Sequence, residues 1–580
     1  MSSTTILIRG ARPLSQMTGA GAYPTGVPVS IKYPEMPVYE FWRNSARKFP
    51  DRAAVIYFGA RHSYSELWGQ SLSLAQNLKA LGVERGDRVG LILPNTPHFM
   101  VAVNATHLVG GVAVTVNPLL PVPEIERELK ITGCRVLIVL DRLLEKLPEE
   151  APETVIVAEA ASYAPTHLRL LSSLRHRAGK HPRGALRFED LVTGPRLEDE
   201  AEIEPKEDVA MIMFTSGTTG EPKGVMLTHY ALVANALQSY HWLRGWGYSA
   251  KPQAAGWPII LCAVPFFHSY GLVVMNEAVS FGCTMVLLPN PNAEEIMKAA
   301  DRHKVTHFPL IPRFIREILT HPDLGKYDLT SLTTCASGGA AIPVEHMKAF
   351  EKAAGARMYQ GYGLTEAGPS VCATPIEGEP NYASAGLLYP DTEARIVDLQ
   401  VGELDMAPGQ AGEIIVRGPQ LMKGYWDNPE ATAQSLRDGW LYTGDIGYMD
   451  EAGYMYIVGR KMDRILARGH TVWPTMVEDA LKTHPAVEMA VAFGAPDPLR
   501  CSTDVRAMVK LKEGYGPSPE LQEELLETCR RTLKEYEVPS GITFRDQIPV
   551  TAVGKVDRRA VLTEIKKIVE TGGEIPEELR

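Results

Sequence analysis

The run Phe214-Thr215-Ser216-Gly217-Thr218-Thr219-Gly220-Glu221-Pro222-Lys223-Gly224 constrains this chain more than any other stretch. It follows Val209-Ala210-Met211-Ile212-Met213, an apolar run of strand length, and a helical pattern begins near Tyr230. Glycines let backbone N–H groups approach a phosphate closely, the hydroxyls add donors, and Lys223 supplies a positive charge. The spacing is not that of a Walker A loop, because no Gly-Lys-Ser/Thr closes it. Taken alone, a Ser/Thr/Gly cluster reads equally well as a solvated turn, so the rest of the chain must decide.

A strand followed by such a loop belongs to an α/β plan, and other segments repeat that grammar. Val89 to Leu93, Val136 to Leu140 and Thr284 to Leu288 read as buried strands, while Tyr64 to Leu81 places apolar residues at helical spacing. Such alternation argues for helices layered on largely parallel sheets. From Ala411 to Arg417 and from Gly453 to Val458 the pattern changes to short strands with tight turns, a β-rich region. A charged unit with its own helices and strands follows Gly459-Arg460-Lys461. The expected division is therefore a large domain over 1–459 and a small α+β domain over 460–580. At 580 residues two or more domains are expected on length alone.

Composition narrows the partners. The formal net charge is -10, from 59 basic and 69 acidic residues, which does not suit a general nucleic-acid binder. Seven cysteines with no C-x-x-C pair suit reduced thiols in the cytosol better than a disulfide framework or a zinc site. Residues 1–30 lack the apolar core of a signal peptide. Phe99 to Val116, the most membrane-like stretch, contains Asn104, His107 and Gly110-Gly111, and reads instead as a helix followed by a buried strand. A cytoplasmic location follows. One stretch departs from the acidic average. Between Ala161 and Phe188 there is no Asp or Glu, and Arg169, Arg175, Arg177, Lys180, Arg183 and Arg187 interleave with leucines. Residues 168–187 fit a peripheral contact with an anionic membrane as well as they fit a solvated loop.

The loop at 214–224 resembles the phosphate loop of the adenylate-forming superfamily, which holds acyl-CoA synthetases, luciferases and peptide-synthetase adenylation domains. Further motifs recur in that family's order. Phe266-Phe267-His268-Ser269-Tyr270-Gly271 resembles the segment whose aromatic or His wall separates the nucleotide and acyl pockets. Ser337-Gly338-Gly339-Ala340-Ala341 resembles the strand end against which adenine packs. Tyr359-Gln360-Gly361-Tyr362-Gly363-Leu364-Thr365-Glu366 is similar to the YGxTE motif. Trp440 to Asp445 is similar to the TGD segment, Ile457-Val458-Gly459-Arg460 to the segment before the hinge, and Pro549 to Lys555 to the PxTxxGK motif.

The resemblance implies ATP, Mg²⁺ and coenzyme A as reactants and cofactors, and a role for each matching residue. Thr215 to Gly220 and Lys223 would hold the phosphates. Gly339, Ala340, Ala341, Gln360, Gly361, Tyr362, Gly363 and Ile457 would line the nucleotide. Thr365 would bond the α-phosphate, Glu366 would hold Mg²⁺, Asp445 would take the ribose hydroxyls and Arg460 would contact the nucleotide. Lys555 would be the catalytic lysine, with His268, Thr365 and Glu366 also catalytic. Gly469 and His470 would line the coenzyme A passage after the small domain rotates about a hinge at Met462.

Within the family, Tyr33-Pro34-Glu35-Met36-Pro37, Gly338 to Pro343 and Leu387 to Val397 most resemble bacterial-type long-chain fatty acid–CoA ligases. A medium- to long-chain fatty acid is then the expected substrate, with an aryl or other carboxylate–CoA ligase, or a free-standing carrier loader, as alternatives. Homodimerisation is left open. Four positions depart from the family pattern. Met462 stands for Asp or Lys at the hinge, and Met476 for the usual Glu. Cys501-Ser502 stands for a Gly-Glu pair, and His470-Thr471 for an acidic-polar pair. They leave the adenylation motifs intact and bear on the hinge and the thioester step.

Overall fold

The computed structural model describes residues 23, 26–175, 182–215, 222–245, 257–340, 342–376, 378–467, 470–497, 502–550, 556, 558 and 560–563. Ser216 to Gly220, Ala341, Gly469, Cys501 and Lys555 therefore lie outside the described residues.

Two large sheets form the body. In one, strands Val112–Thr115, Arg88–Ile92, Val136–Leu140 and Thr154–Ala158 run parallel beside Val209–Thr215. In the other, Ala53–Tyr57, Thr284–Leu287, Ile259–Cys262, His307–Leu310, Thr334–Ser337 and Arg357–Gly363 lie side by side in parallel. Strands buried on both faces read as continuous apolar runs, and Val136–Leu140 is buried at every residue. Antiparallel strands close three of the four edges, such as Ala60–Ser63 beside Ala53–Tyr57, while the short strand Leu186–Arg187 closes the fourth in parallel. A third, five-stranded antiparallel sheet occupies the β-rich region, with Trp440–Met449 at its centre.

Local chemistry fixes the element ends. The Ser63 hydroxyl accepts the Glu66 N–H while the Glu66 carboxylate accepts the Ser63 N–H, a capping box that starts helix Tyr64–Ala80. Helix Ser269–Phe281 ends at Gly282 with φ of 69°, where a Cβ would stand 2.4 Å from the Phe49 ring. Helix Pro97–Leu108 is buried on all sides and the strand Val112–Thr115 follows it, as the sequence predicts for this stretch. Asn95, buried between the sheets, donates to the Cys262 and Val264 carbonyls and accepts the Phe266 N–H. It thereby ties the segment leading to His268 onto the opposite sheet.

One strand was not foreseen. Before helix His229–Gly245 comes strand Lys223–Thr228, antiparallel to Val209–Thr215. Six residues suffice because Val225 and Leu227 bury against Met211 and Met213 while Gly224 passes close to Ile212 and Trp426.

Towards the C-terminus the chain builds a smaller domain with its own core. Strands Val487–Asp497, Ser502–Leu511 and Ile542–Phe544 form its sheet, and helices Pro474–Lys482 and Pro519–Thr532 pack on it around Val477, Leu481, Leu525 and Val509. The six cysteines described are buried free thiols. Among the described residues no helix is long and apolar enough to cross a membrane.

Candidate active site

The motif residues gather where the parallel strands Thr334–Ser337 and Arg357–Gly363 end, beside the β-rich sheet. Ligands of open α/β sheets sit at this carboxyl edge. Ser337 pairs with Gln360, so Gly339 and Ala340 continue from a point level with Gly361. Gly339 adopts φ of 87° with nothing within 4 Å of a would-be Cβ, and leaves open space over the strand end. Gly363 is needed for the opposite reason, because a Cβ there would lie 2.1 Å from the Pro369 carbonyl.

Three linked groups of side chains occupy this edge. In the first, the Tyr362 hydroxyl donates to Asp445 at 2.6 Å and the Arg460 guanidinium lies 3.1 Å from the other Asp445 oxygen. Asp445 is held in turn by its own N–H, which donates to the Thr443 hydroxyl. The neighbouring Gly444 N–H donates to Glu413, which also pairs with Lys461 at 2.6 Å. The Asp445 carboxylate raises the Arg460 guanidinium above its ordinary value, so this cation stays charged. Burial and Asp445 hold the Tyr362 phenol well above its usual range.

The second group centres on Tyr425. Its hydroxyl donates to Glu366 at 2.9 Å, and the Lys223 ammonium sits 4.9 Å over its ring. Burial raises the Glu366 carboxyl above the ordinary range, opposed by hydrogen bonds and by Arg460. The third group is Thr365, whose hydroxyl lies 3.2 Å from that of Ser269. His268 immediately precedes, and its ring accepts the Tyr270 N–H at 3.2 Å as the N-cap of helix Ser269–Phe281. Sequences 96 residues apart thus meet at one point.

Other motif positions lie apart from these bonds. The Gln360 amide is taken up by the Tyr382 and Ser384 carbonyls at 2.7 Å each. Ile457 is exposed on strand Met455–Arg460. His470 lies in the small domain, stacked on Tyr536 at 4.2 Å, and Met462 is 68% exposed. Thr215 is the last residue of its strand. Sequence reasoning missed Tyr425, although its run Lys423-Gly424-Tyr425-Trp426 combines a glycine and two aromatics within reach of the loop. It also missed Arg558, three residues beyond Lys555, which pairs with Glu478 and Asp463 and donates to the Ala492 carbonyl.

The arrangement offers a carboxylate and phenol beside a fixed guanidinium, a buried carboxylate bridged to a lysine through tyrosine, and hydroxyl donors at a glycine-lined strand end. That donor set suits a nucleotide with its phosphates.

Comparisons with known proteins agree. The model of the AMP-binding enzyme family matches residues 42–426, and that of the AMP-binding enzyme C-terminal domain matches 476–555. The chain is 39% identical over 568 residues to a long-chain-fatty-acid–CoA ligase of Bacillus subtilis (strain 168), covering 95% of this chain and 98% of the relative. It is 34% identical over 519 residues to a feruloyl-CoA synthase of Amycolatopsis sp, covering 88% and 95%. Among solved structures, the o-succinylbenzoate CoA synthetase of Bacillus subtilis in complex with its acyl-adenylate intermediate superposes with a TM-score of 0.73 at 26% identity, covering 91% of this chain and 98% of that one. The chain belongs to the AMP-binding, adenylate-forming enzyme family.

Proposed function

We propose that this enzyme activates a medium- to long-chain fatty acid with ATP and transfers the acyl group to coenzyme A. The observation that carries this reading is the near full-length 39% identity to a named long-chain-fatty-acid–CoA ligase, with the motif side chains gathered at one sheet edge.

In the first step a carboxylate oxygen attacks the α-phosphorus of ATP. The bond to the bridging oxygen breaks, and pyrophosphate leaves with its electron pair. Two anions must meet, so the site has to offset their repulsion and align them. Lys223 and the phosphate loop hold the β- and γ-phosphates, Thr365 bonds the α-phosphate, and Asp445 takes the ribose hydroxyls. Asp445 exchanges its Tyr362 bond for the sugar while Arg460 keeps it in place. Glu366 offers a hard oxygen, with Tyr425 donating to it, and among the described residues it has no cation within 4.0 Å, which fits Mg²⁺. Bound there, Mg²⁺ would neutralise phosphate charge. Lys555 orients the carboxylate and α-phosphate. In the second step the thiolate of coenzyme A attacks the acyl carbon and the carbon–oxygen bond to AMP breaks. The thiol proton passes to solvent.

The division at 459/460 lets residues 460–580 rotate about Met462, so that Lys555 leaves and Gly469 and His470 line the pantetheine passage. Residues 168–187, with helix Thr166–Arg175 at their start, provide a peripheral contact with an anionic membrane. The feruloyl-CoA synthase match favours a second reading, an aryl carboxylate–CoA ligase. Pyrophosphate release with a panel of fatty and aromatic acids, with and without coenzyme A, decides between them. Turnover of aromatic acids alone would displace the fatty-acid reading, and adenylation without AMP release on adding coenzyme A would favour a carrier loader.

A further inference from the structure

A bulky aromatic side chain, Phe58, stands at a hairpin tip, its ring edge-on to Tyr57 at 4.6 Å yet more than half exposed. Strands Ala53–Tyr57 and Ala60–Ser63 are joined by Phe58-Gly59, with Tyr57 paired to Ala60. Both turn residues have positive φ, 49° at Phe58 and 90° at Gly59. Asn, Asp or Gly commonly fills the first position of such a two-residue turn, and a large residue at positive φ is uncommon. Phe58 accepts that conformation and remains 53% exposed.

Its surroundings share a character. The Tyr57 hydroxyl donates to the Ala160 carbonyl at 3.1 Å, and the His62 ring bonds the Tyr163 carbonyl at 2.8 Å. These bonds bring the hairpin against the segment that feeds helix Thr166–Arg175. On that helix Leu170 and Leu171 are 61% and 53% exposed. Four arginines lie around the hairpin, together with the carboxylates of Asp141 and Glu66, the latter bonded to His62. Arg302 reaches within 3.3 Å of the Cβ position of Gly59, Arg169 acts electrostatically on His62, and Arg142 on Tyr57. Arg61 and Arg302 both act on His303, where burial and these guanidiniums lower the imidazole. Among the described residues, none of these four arginines has a carboxylate within 4.0 Å. In a chain of net charge -10 such a cluster is an exception, and it matches an anionic surface.

We propose that the Phe58-Gly59 hairpin tip, with Leu170, Leu171 and the flanking arginines, is a docking surface for an anionic phospholipid bilayer, Phe58 entering the headgroup–acyl boundary. The proposal rests on the peripheral-contact reading and adds to it a second element and an inserted side chain. Apolar insertion and arginine attraction are then both required, as one signal alone holds a protein weakly to a bilayer.

The full chain is tested by flotation with vesicles of phosphatidylcholine, with and without phosphatidylglycerol. The parent binds only the anionic vesicles, and added salt releases it. Phe58→Asn suits the turn, leaves the melting transition in place, and lowers the partition coefficient about tenfold. Phe58→Trp shows blue-shifted emission with anionic vesicles alone. Parent-like binding by Phe58→Asn overturns the hairpin proposal. If Arg169→Ser with Leu170→Ser and Leu171→Ser then weakens binding, the helix reading survives by itself. A parent that binds no vesicles overturns both. A dimer seen by light scattering and lost in Phe58→Asn assigns the face to a second copy and overturns the lipid proposal.

Discussion

Arg558→Met tests how the lysine-bearing tail is fixed. The Arg558 guanidinium pairs with Glu478 at 2.6 Å and Asp463 at 3.3 Å, and donates to the Ala492 carbonyl at 3.0 Å. The side chains of Arg558 and Glu478 are only 15% and 5% exposed. Removing one partner of a buried pair strands the other charge and costs about 3–5 kcal/mol. Glu478 keeps the Ala492 N–H at 2.8 Å, so the lower end applies. About 3 kcal/mol is a factor of roughly 150 in the opening equilibrium of the small domain. A chain with two domains has no single unfolding free energy, so the readout is native-state hydrogen exchange along Val487–Asp497 and Ser502–Leu511. Glu478→Gln with Arg558→Met removes the more buried of the two carboxylates left behind, Asp463 being the other, and should recover about 2 kcal/mol. Lys555 lies three residues upstream, so adenylation should slow while conversion of supplied acyl-adenylate to thioester changes less. Exchange within about threefold of the parent, or a double variant as exposed as the single one, would refute the clamp.

Glu366→Gln should weaken the use of Mg²⁺-ATP in adenylation without unfolding the protein; an unchanged rate and Mg²⁺ dependence across a Mg²⁺ titration would sink that role. Lys555→Ala should cost on the order of 10²–10³ in acyl-adenylate formation yet still convert supplied acyl-adenylate, while Gly469→Trp should show the reverse defect. Equal loss of both half-reactions in both variants, in single-turnover assays, would rule out rebuilding of one site by domain rotation. Burial lifts the Glu277 carboxyl to about 7 although the Ser239 hydroxyl donates to it at 2.5 Å. Between roughly pH 4.5 and 7 the native state holds a proton that the unfolded chain releases, so stability falls as pH rises across that window. Glu277→Gln should flatten that fall by up to about 3 kcal/mol, read from denaturant midpoints at a series of pH values; a parallel pH profile would contradict the buried acid.

What could be read from the chain follows from how far each signal reaches along it. Val136–Leu140 and Thr284–Leu287 are legible because a strand buried on both faces is apolar at every position, a local property. The return strand Lys223–Thr228 is harder, since its Gly and Lys belong equally to a loop and only its pairing with Val209–Thr215 makes it a strand. Motif resemblance marks Tyr362, Glu366, Asp445 and Arg460 one at a time and is silent on which of them touch. The Tyr362–Asp445 bond joins positions 83 apart, and the Tyr425–Glu366 bond positions 59 apart. The first depends on the β-rich sheet meeting the end of strand Arg357–Gly363, the second on strand Gly424–Tyr425 pairing with Lys223–Thr228 at the edge of the other large sheet, and no window of sequence encodes either. Tyr425 shows the consequence most plainly. In sequence it reads as one more aromatic before a tryptophan, yet in the fold its ring lies under the Lys223 ammonium while its hydroxyl donates to the Glu366 carboxylate. A cation and an acid carried on separate segments are kept partnered by such a bridge, since an unpartnered buried polar group is costly.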